Sequence, residues 1–379
     1  MKTIKLALLL LLIAITFSIS AQPTHYIYVS DAGNFNIQTS QVLRYDIDGS
    51  NPQTFISSDT FADNNVGWPQ DIIFLEDQGV VLISCLIGNK ITKHDADTGD
   101  YIEDFADVPG GPTRMKIGTD GNIYVVQWSL TDNKILRFQQ DGTPLGEYSD
   151  VGVSRSVGLD FDGAGNIYVG SYGSNTVTKF DSSGISQGVL IDTQLSGPTN
   201  VMVEQGGNIL VLNWNGGNIE RFDSNGNHIE TFTTAVTQPE GIAIHPVTFN
   251  YVVGNGGPGQ IDEFLVDGTF QQSIVSNGSG GLLQPNAVVF REVPTASIND
   301  NDAKKKILIS PTIGTNFKLN TSETQLLDSL EVFTLLGQKV ATISLLQETW
   351  NANSLQEGTY LLIAKKEQSQ FIQKIIVKK

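Results

Sequence analysis

Six copies of one spaced pattern run from Val42 to Ile274, and this periodicity constrains the fold more than any single residue does. Each copy begins with a branched apolar residue, which is Val42, Ile91, Ile135, Val177, Ile219 or Ile261. Three positions later stands an aromatic residue or His, namely Tyr45, His94, Phe138, Phe180, Phe222 or Phe264. A glycine follows at Gly49, Gly99, Gly142, Gly184, Gly226 and Gly268. A large apolar residue comes six positions after each glycine, at Phe55, Phe105, Tyr148, Leu190, Phe232 and Ile274. The aromatic positions are 49, 44, 42, 42 and 42 residues apart, which is the range of repeat architectures.

Within each repeat the apolar residues alternate with a period of two, as in residues 121–126 and 165–169. Aromatic and β-branched residues that alternate between Gly, Asn and Asp turns are typical of strands. One period accommodates four such strands. Six four-stranded units predict a β-propeller, in which sheets are arranged radially around a channel. A solenoid is the alternative, but its periods are shorter.

The two ends of the repeat region predict how the ring closes. Residues 283–290 have the pattern of an inner strand, but no further repeat follows them. Residues 26–30 have the pattern of a second strand without an inner strand before it. Pairing these two segments would complete blade 1 from both ends of the chain and would remove the free edges of an open ring.

Three motifs resemble a known family. The run 239–244 (Pro-Glu-Gly-Ile-Ala-Ile), the Gly-Asn-Ile-Tyr-Val strands and the Ile-x-Arg-Phe-Asp-x-x-Gly turns are similar to NHL-type repeats. They also resemble two related groups, the gluconolactonase/regucalcin-like and virginiamycin B lyase-like propellers. The resemblance covers residues 25–292 and implies a six-bladed β-propeller there. It is specific for the fold and weak for the activity.

The first residues have the features of a secretory signal peptide. Lys2 and Lys5 precede an apolar run over residues 6–15, and small residues follow up to Ala21. The apolar run is too short for an ordinary membrane span, so we expect residues 1–21 to be removed on export and no transmembrane segment in the mature chain. The absence of a nearby cysteine argues against a lipoprotein anchor.

A polar linker is predicted at residues 293–306, and residues 307–379 then show strand signals without the blade pattern. This last segment resembles the C-terminal sorting domain of the type IX secretion system, a small β-sandwich of Bacteroidetes-type bacteria. Ser310-Pro311-Thr312 replaces the usual Pro-Asn-Pro element. The resemblance implies export by the type IX machinery to the medium or outer surface of a Gram-negative bacterium. An adhesion or carbohydrate-binding sandwich is the alternative.

Charge and cysteine content exclude some functions. The net charge is −17, and the ten lysines and six acidic residues from Ala303 onward leave −21 for the rest. An acidic propeller repels phosphate backbones, which disfavours nucleic-acid binding. Cys85 is the only cysteine, so the chain has no internal disulfide, and its strand-like surroundings predict an inert buried thiol.

Candidate ligand-binding residues fall in two sets of loops that we expect on one face, around the channel mouth. They are Asp71, Arg114, Trp128, Tyr172, Asn200, Trp214, Glu240 and Asn286. Aromatic faces combined with amides and carboxylates suit a glycan, a peptide or a small molecule. The alternative is that Trp128 and Trp214 only cover the ends of neighbouring blades.

A metal site is a second hypothesis. Asp71, Asn200, Glu240 and Asn286 are oxygen ligands of the kind that Ca²⁺ or Mg²⁺ prefers, and a metal there could polarise a lactone carbonyl or activate water. The gluconolactonase-like relatives hold a metal with a similar mixture, although the spacing in this chain does not form their motif. The lyase-like relatives use histidines near the channel, and the four histidines of this chain do not fit that position.

Together these features favour an exported binding module. A metal-dependent lactonase or hydrolase is the alternative, because propellers serve both roles. No pair of nucleophile and base is evident in the sequence, and the only support for a surface scaffold is the repeats themselves.

Overall fold

The computed structural model describes residues 24–33, 39–293, 308–311, 313–320, 327–334, 339–366 and 369–379. The chain divides into two compact units, residues 1–293 and 294–379, which we describe separately. The predicted signal peptide at 1–21 lies outside the described residues, as does the predicted linker except for Val293.

The first unit contains six four-stranded sheets, or blades, each with one inner strand and one outer strand. From the inner strand outward, blade 1 comprises β24 (Pro285–Glu292), β1 (His25–Asp31), β2 (Gln41–Asp46) and β3 (Gln53–Ile56). Blade 2 comprises β4 (Gly67–Leu75), β5 (Val80–Ile87), β6 (Lys90–Asp95) and β7 (Tyr101–Asp107). Blade 3 comprises β8 (Pro112–Ile117), β9 (Ile123–Gln127), β10 (Leu136–Phe138) and β11 (Pro144–Glu147). Blade 4 comprises β12 (Ser156–Phe161), β13 (Ile167–Ser171), β14 (Thr176–Phe180) and β15 (Ser186–Ile191). Blade 5 comprises β16 (Pro198–Val203), β17 (Ile209–Asn213), β18 (Asn218–Phe222) and β19 (His228–Thr233). Blade 6 comprises β20 (Pro239–Ile244), β21 (Tyr251–Asn255), β22 (Gln260–Phe264) and β23 (Phe270–Val275).

The six-bladed propeller is therefore confirmed, and so is the closure of the ring. Strand β1 pairs antiparallel with β24, from His25 opposite Glu292 to Asp31 opposite Pro285. The two ends of the propeller sequence thus share blade 1, and neither end leaves an unpaired inner or second strand.

The hydrophobic core of this unit is a ring of interfaces between neighbouring blades. Six buried apolar clusters occur, and each joins side chains of two adjacent blades. Tyr168 and Phe222, for example, belong to one cluster between blades 4 and 5. The cluster that contains Ile27 and Val252 joins blades 1 and 6, so the core is continuous across the closure.

The repeat glycines lie at these interfaces with φ between +78° and +88°. A Cβ added to Gly226 would lie 2.2 Å from the carbonyl oxygen of Leu190 in the preceding blade. The corresponding distance from Gly49 to the Ile274 oxygen, across the closure, is 1.9 Å. The partner is in every case the apolar residue that follows the preceding glycine by six positions. The sequence repeat is thus the signature of a contact between blades.

Short helical segments complete the connections of the first unit. Helix α1 (Ser58–Asp63) leads from blade 1 to blade 2 and buries Phe61. Ser57 caps this helix, because its Oγ accepts a hydrogen bond from Thr60 N at 3.1 Å. Single 3₁₀ turns occur at Glu76–Gln78 and Ser279–Gly281.

The second unit is a β-sandwich, as predicted. One sheet contains β25 (Ile309–Ser310), β27 (Asn316–Leu319) and β30 (Thr349–Asn351). The other contains β26 (Ile313–Gly314), β32 (Ser369–Val377), β31 (Gly358–Lys366), β28 (Ser329–Thr334) and β29 (Lys339–Thr342). Alternate residues of both sheets form one buried cluster, which includes Phe317, Val332 and Leu362.

The glycine contact between blades yields a stability prediction. We expect Gly226→Ala to lower the melting temperature of the full chain by about 2 °C or more beyond Gly188→Ala, because overpacking costs roughly 1–3 kcal/mol. Gly188 is the matched control, since its φ of +87° is similar and no atom lies within 4 Å of its added Cβ. Equal melting temperatures in a thermal denaturation experiment would show that φ alone requires the glycine.

Candidate functional site

Each inner strand has an irregular register near its start, which takes one or two successive residues out of the regular ladder. In β16, for example, the register with β17 shifts between Pro198 and Asn200. Such bulges redirect side chains and free backbone groups from the ladder. The first redirected position, which we call the upper ring, comprises Gln70, Thr113, Val157, Thr199, Glu240 and Asn286. The next position, the lower ring, comprises Asp71, Arg114, Gly158, Asn200, Gly241 and Ala287.

The two rings separate two cavities. All members of the upper ring except Asn286 line a cavity of about 290 Å³ at the channel mouth. All members of the lower ring except Gly158 line a cavity of about 360 Å³ that continues along the inner strands. The side chains between these cavities therefore form the floor of the mouth.

Arg114 lies at the centre of this floor and contacts three other blades. Its guanidinium donates hydrogen bonds to the carbonyl oxygens of Gln70 and Asn286. It also donates to the carbonyl oxygen and to the Oε1 carboxylate oxygen of Glu240, each at 3.4 Å. Arg114 is 3% exposed and Glu240 is 5% exposed, so this ion pair is buried.

The remaining polar side chains complete a connected group around Arg114. Asn200 Nδ2 donates to the carbonyl oxygen of Glu240 at 2.9 Å. The side-chain amide of Gln70, in the orientation that satisfies its neighbours, donates to Glu240 Oε1 at 3.0 Å and accepts from Asn286 Nδ2 at 2.8 Å. We call the group of Gln70, Asp71, Arg114, Asn200, Glu240 and Asn286 the polar plug.

Burial shifts the titration of both acids in the polar plug. It raises the pKa of the Glu240 carboxyl to about 7, an effect that Arg114 opposes and Asp71 increases. It also raises the pKa of Asp71, although Arg114 and the backbone N–H groups of Met115 and Ile72 oppose the shift. Glu240 therefore changes charge near neutral pH.

The four residues proposed as metal ligands all lie in the polar plug, and the buried Oδ1 of Asn286 has no hydrogen-bond partner among the described residues. Asn200 and Asn286 direct their amide NH₂ groups to carbonyl oxygens, and both oxygens of Asp71 accept backbone hydrogen bonds. Across the described part of the chain, no group of three or more His, Cys, Asp or Glu side chains is placed to hold a metal ion.

Above the plug, aromatic side chains surround the mouth cavity. Trp128, Tyr172 and Trp214 each directly follow the second strand of blades 3, 4 and 5. The ring centroids of Trp128 and Tyr172 are 5.4 Å apart with an interplanar angle of 55°. Trp68 and Leu86 of blade 2 complete the wall. The four aromatic residues, which we call the aromatic mouth, are only partly buried.

Trp68 is the mouth residue that was not predicted from the sequence. Its φ of +53° is a left-handed conformation that is strained for a bulky residue. Gly111 and Gly197 occupy the equivalent positions before Pro112 and Pro198. A Trp before Pro at a position where blades 3 and 5 have Gly was therefore an available signal.

Polar residues at the ends of the second strands hold the loops of this face in place. Asp31 Oδ1 accepts a hydrogen bond from Gln284 N at 2.8 Å across the ring closure. Asn213 and Asn255 accept from Ser196 N at 3.0 Å and Thr237 N at 2.8 Å, respectively. These hydrogen bonds fix the loops that lead into the inner strands.

Comparison with known proteins defines the two units at different levels. Residues 298–378 match the family described as a secretion system C-terminal sorting domain. The sandwich is thus a sorting domain of the type IX secretion system, which implies recognition by that machinery and export to the cell surface or medium in Bacteroidetes. No curated protein matches the chain. No helix among the described residues is long and apolar enough to span a membrane.

Two solved structures with a TM-score of 0.55 support the propeller fold. One from a nidogen/laminin complex has a TM-score of 0.55 and 12% identity, over 70% of this chain and 97% of that chain. A protein of unknown function from Bacteroides caccae has a TM-score of 0.55 and 13% identity, over 70% and 98%. A catalytically inactive virginiamycin B lyase from Staphylococcus aureus with quinupristin has a TM-score of 0.44 and 14% identity, over 83% and 97%. At these identities the likeness concerns the fold alone, and the NHL or gluconolactonase subtype stays a prediction.

The raised pKa of Glu240 predicts a pH dependence of stability. The folded protein binds the Glu240 proton more tightly than the unfolded chain does, so this contribution to stability falls as pH rises from the ordinary value of 4.5 to about 7. We expect Glu240→Gln to flatten the decline of stability over that interval, by on the order of 3 kcal/mol. Melting temperatures measured between pH 4.5 and about 7 test this prediction. The exposed Glu147→Gln variant is the control, and wild-type and Glu240→Gln profiles that run parallel would contradict the prediction.

Proposed function

We propose that the propeller is an exported carbohydrate-binding module whose ligand occupies the aromatic mouth. One observation carries the proposal. Trp68, Trp128, Tyr172 and Trp214 come from four successive blades and line one cavity of about 290 Å³. Their rings keep exposed surface there, whereas many of the other large apolar side chains of the propeller are buried.

The polar groups of the mouth suit a hydroxylated ring. Thr113 Oγ1 and Thr199 Oγ1 donate to the carbonyl oxygens of Ser156 and Pro239, at 2.8 and 2.7 Å. Their remaining lone pairs are free to accept from a ligand hydroxyl. A sugar presents apolar C–H faces that stack on aromatic rings and hydroxyls that both donate and accept. The combination of rings above and hydroxyl oxygens below therefore favours a glycan over the peptide and small-molecule alternatives.

The charged side chains near the aromatic mouth disfavour a cationic ligand. The guanidinium of Arg155 lies 5.8 Å from the centroid of the Trp128 ring, at the rim of the mouth. Arg114 lies beneath the floor and pairs with Glu240. A ligand ammonium group would meet one cation at the rim and would find the floor carboxylate already paired.

Binding is a better account of the polar plug than catalysis. Both carboxylate oxygens of Asp71 and the Nδ2 groups of Asn200 and Asn286 bond to backbone groups, so we assign these residues to support the floor rather than to touch the ligand. The sorting domain agrees with an extracellular ligand, and we propose that residues 1–21 carry the chain across the inner membrane.

The aromatic mouth gives a direct binding test. We expect Trp128→Ala and Trp214→Ala each to weaken glycan binding by roughly tenfold, because each loses a stacking surface. Isothermal titration with a panel of oligosaccharides measures this. Trp350→Ala is the matched control, since Trp350 stacks on Phe317 in the sorting domain and should leave affinity unchanged. Unchanged affinity in both mouth variants, or binding of a peptide panel instead, would refute the carbohydrate proposal.

The sorting domain gives an export test. We expect a chain that lacks residues 298–378 to accumulate in the periplasm, because the segment that matches the sorting family is gone. Immunoblots of periplasm, outer membrane and medium from a type IX-competent host measure the distribution. The full-length chain in a host without the type IX pore is the control and should also stay in the periplasm. A truncated chain that still reaches the medium would contradict the assignment.

A further inference from the structure

The mouth extends beyond the aromatic rings into a second cavity of about 220 Å³. Trp68 and Trp214 line both cavities, so the two spaces adjoin. Loops of blades 1 and 6 supply most of the remaining wall. We call this space the glycine-rich lobe, and its characteristic residues are Gln238, Gly256, Gly257, Gly259, Asn277 and Gln284.

In this lobe glycine stands where blades 3 to 5 carry an aromatic residue. Gly256 directly follows strand β21, which is the position of Trp128, Tyr172 and Trp214 in blades 3 to 5. The loop is nevertheless fixed, because Gly257 N donates to the carbonyl oxygen of Thr237 at 2.8 Å. The backbone itself therefore forms the wall, and space remains where blades 3 to 5 present a ring.

Gln284 supplies a buried polar group that lacks a partner. This residue lines the lobe and is 5% exposed, and its Nε2 makes no hydrogen bond within the described part of the chain. A Cβ at Gly256 would lie 2.2 Å from this Nε2, so the missing side chain of Gly256 is what accommodates the amide. A buried donor without a partner destabilises a fold unless something accepts from it.

The lobe is also uncharged. The polar side chains that line it are the amides of Gln238, Asn277 and Gln284, and no described charged residue joins them. Amides offer both donors and acceptors without favouring either sign of charge. A ligand that fits the lobe is therefore hydroxyl-rich and neutral.

We propose that the glycine-rich lobe is a second sugar subsite, so that the propeller recognises a neutral oligosaccharide of two or more residues. This inference rests on the proposed carbohydrate function. One sugar ring stacks in the aromatic mouth, and the next lies on the backbone of the glycine loop. Gln284 Nε2 donates to an oxygen of that second ring. Trp68 and Trp214 contact both rings, because they line both cavities.

The experiment compares neutral sugars of increasing length on the full chain. Isothermal titration uses mono-, di- and trisaccharides of glucose, mannose and xylose, together with a galacturonic acid disaccharide. We expect the best disaccharide to bind about tenfold or more tightly than its monosaccharide. Asn277→Trp, which fills the lobe from an exposed position, should abolish this gain and leave monosaccharide affinity unchanged. Gln284→Leu removes the Nε2 donor and should therefore lower disaccharide affinity by roughly fivefold.

Matched variants control for unspecific effects. Asn225→Trp and Gln187→Leu alter exposed positions that do not line the lobe, and they should bind both sugars like the wild type. Wild-type melting temperatures in all four variants establish that each is folded, and a lobe variant that melts early is replaced by Gln238→Ala.

The outcomes separate the two proposals. Equal affinity for mono- and disaccharides, an undiminished gain in Asn277→Trp, or a preference for the galacturonic acid disaccharide would overturn the second subsite while the carbohydrate function stands. A wild-type chain that binds no saccharide at all would overturn the proposed function and the subsite with it.

Discussion

The close approach of each repeat glycine to a carbonyl oxygen of the preceding blade is the constraint on which the rest of the structure depends. It recurs at all six interfaces, including the one between Gly49 and Ile274 that closes the ring. Because no Cβ stands between the sheets, the blades approach closely enough for six apolar clusters to form one continuous core. The chain's one cysteine, Cys85, is buried, so these contacts and the pairing of β1 with β24 stabilise the propeller without a disulfide.

Closure of the ring creates a second constraint at the axis. The bulges at the starts of the inner strands release carbonyl groups from the β ladders, and buried carbonyls require donors. Arg114 satisfies this requirement because one guanidinium carries five N–H donors in a fixed plane. It reaches the carbonyl oxygens of Gln70, Glu240 and Asn286 in three other blades. The polar plug therefore follows from the geometry of the ring, and it makes the mouth a shallow, floored cavity rather than an open channel.

The fold could be predicted from the sequence because its determinants repeat. Six copies of one interface produce a sequence repeat that can be recognised without a structure. The two strand patterns at 26–30 and 283–290, each lacking a neighbour in its own repeat, identify the closure. The sequence also indicated which residues approach the axis. It could not show that Arg114 would occupy the centre, because the direction of a side chain depends on partners from other blades. For the same reason the sequence could not show that the acids and amides proposed as metal ligands also bond to the backbone.

The positions that do not repeat explain why the ligand is harder to predict than the fold. After the second strand, blades 3 to 5 carry Trp128, Tyr172 and Trp214, whereas blade 1 carries Ala32 and blade 6 carries Gly256. None of these residues takes part in the glycine contacts between blades, so their identity can vary without loss of the ring. The resulting mouth is asymmetric, with aromatic rings on one side and bare backbone on the other. A six-fold ring with equivalent residues would present the same group six times. Recognition of an extended ligand requires the asymmetry that only the variable positions provide.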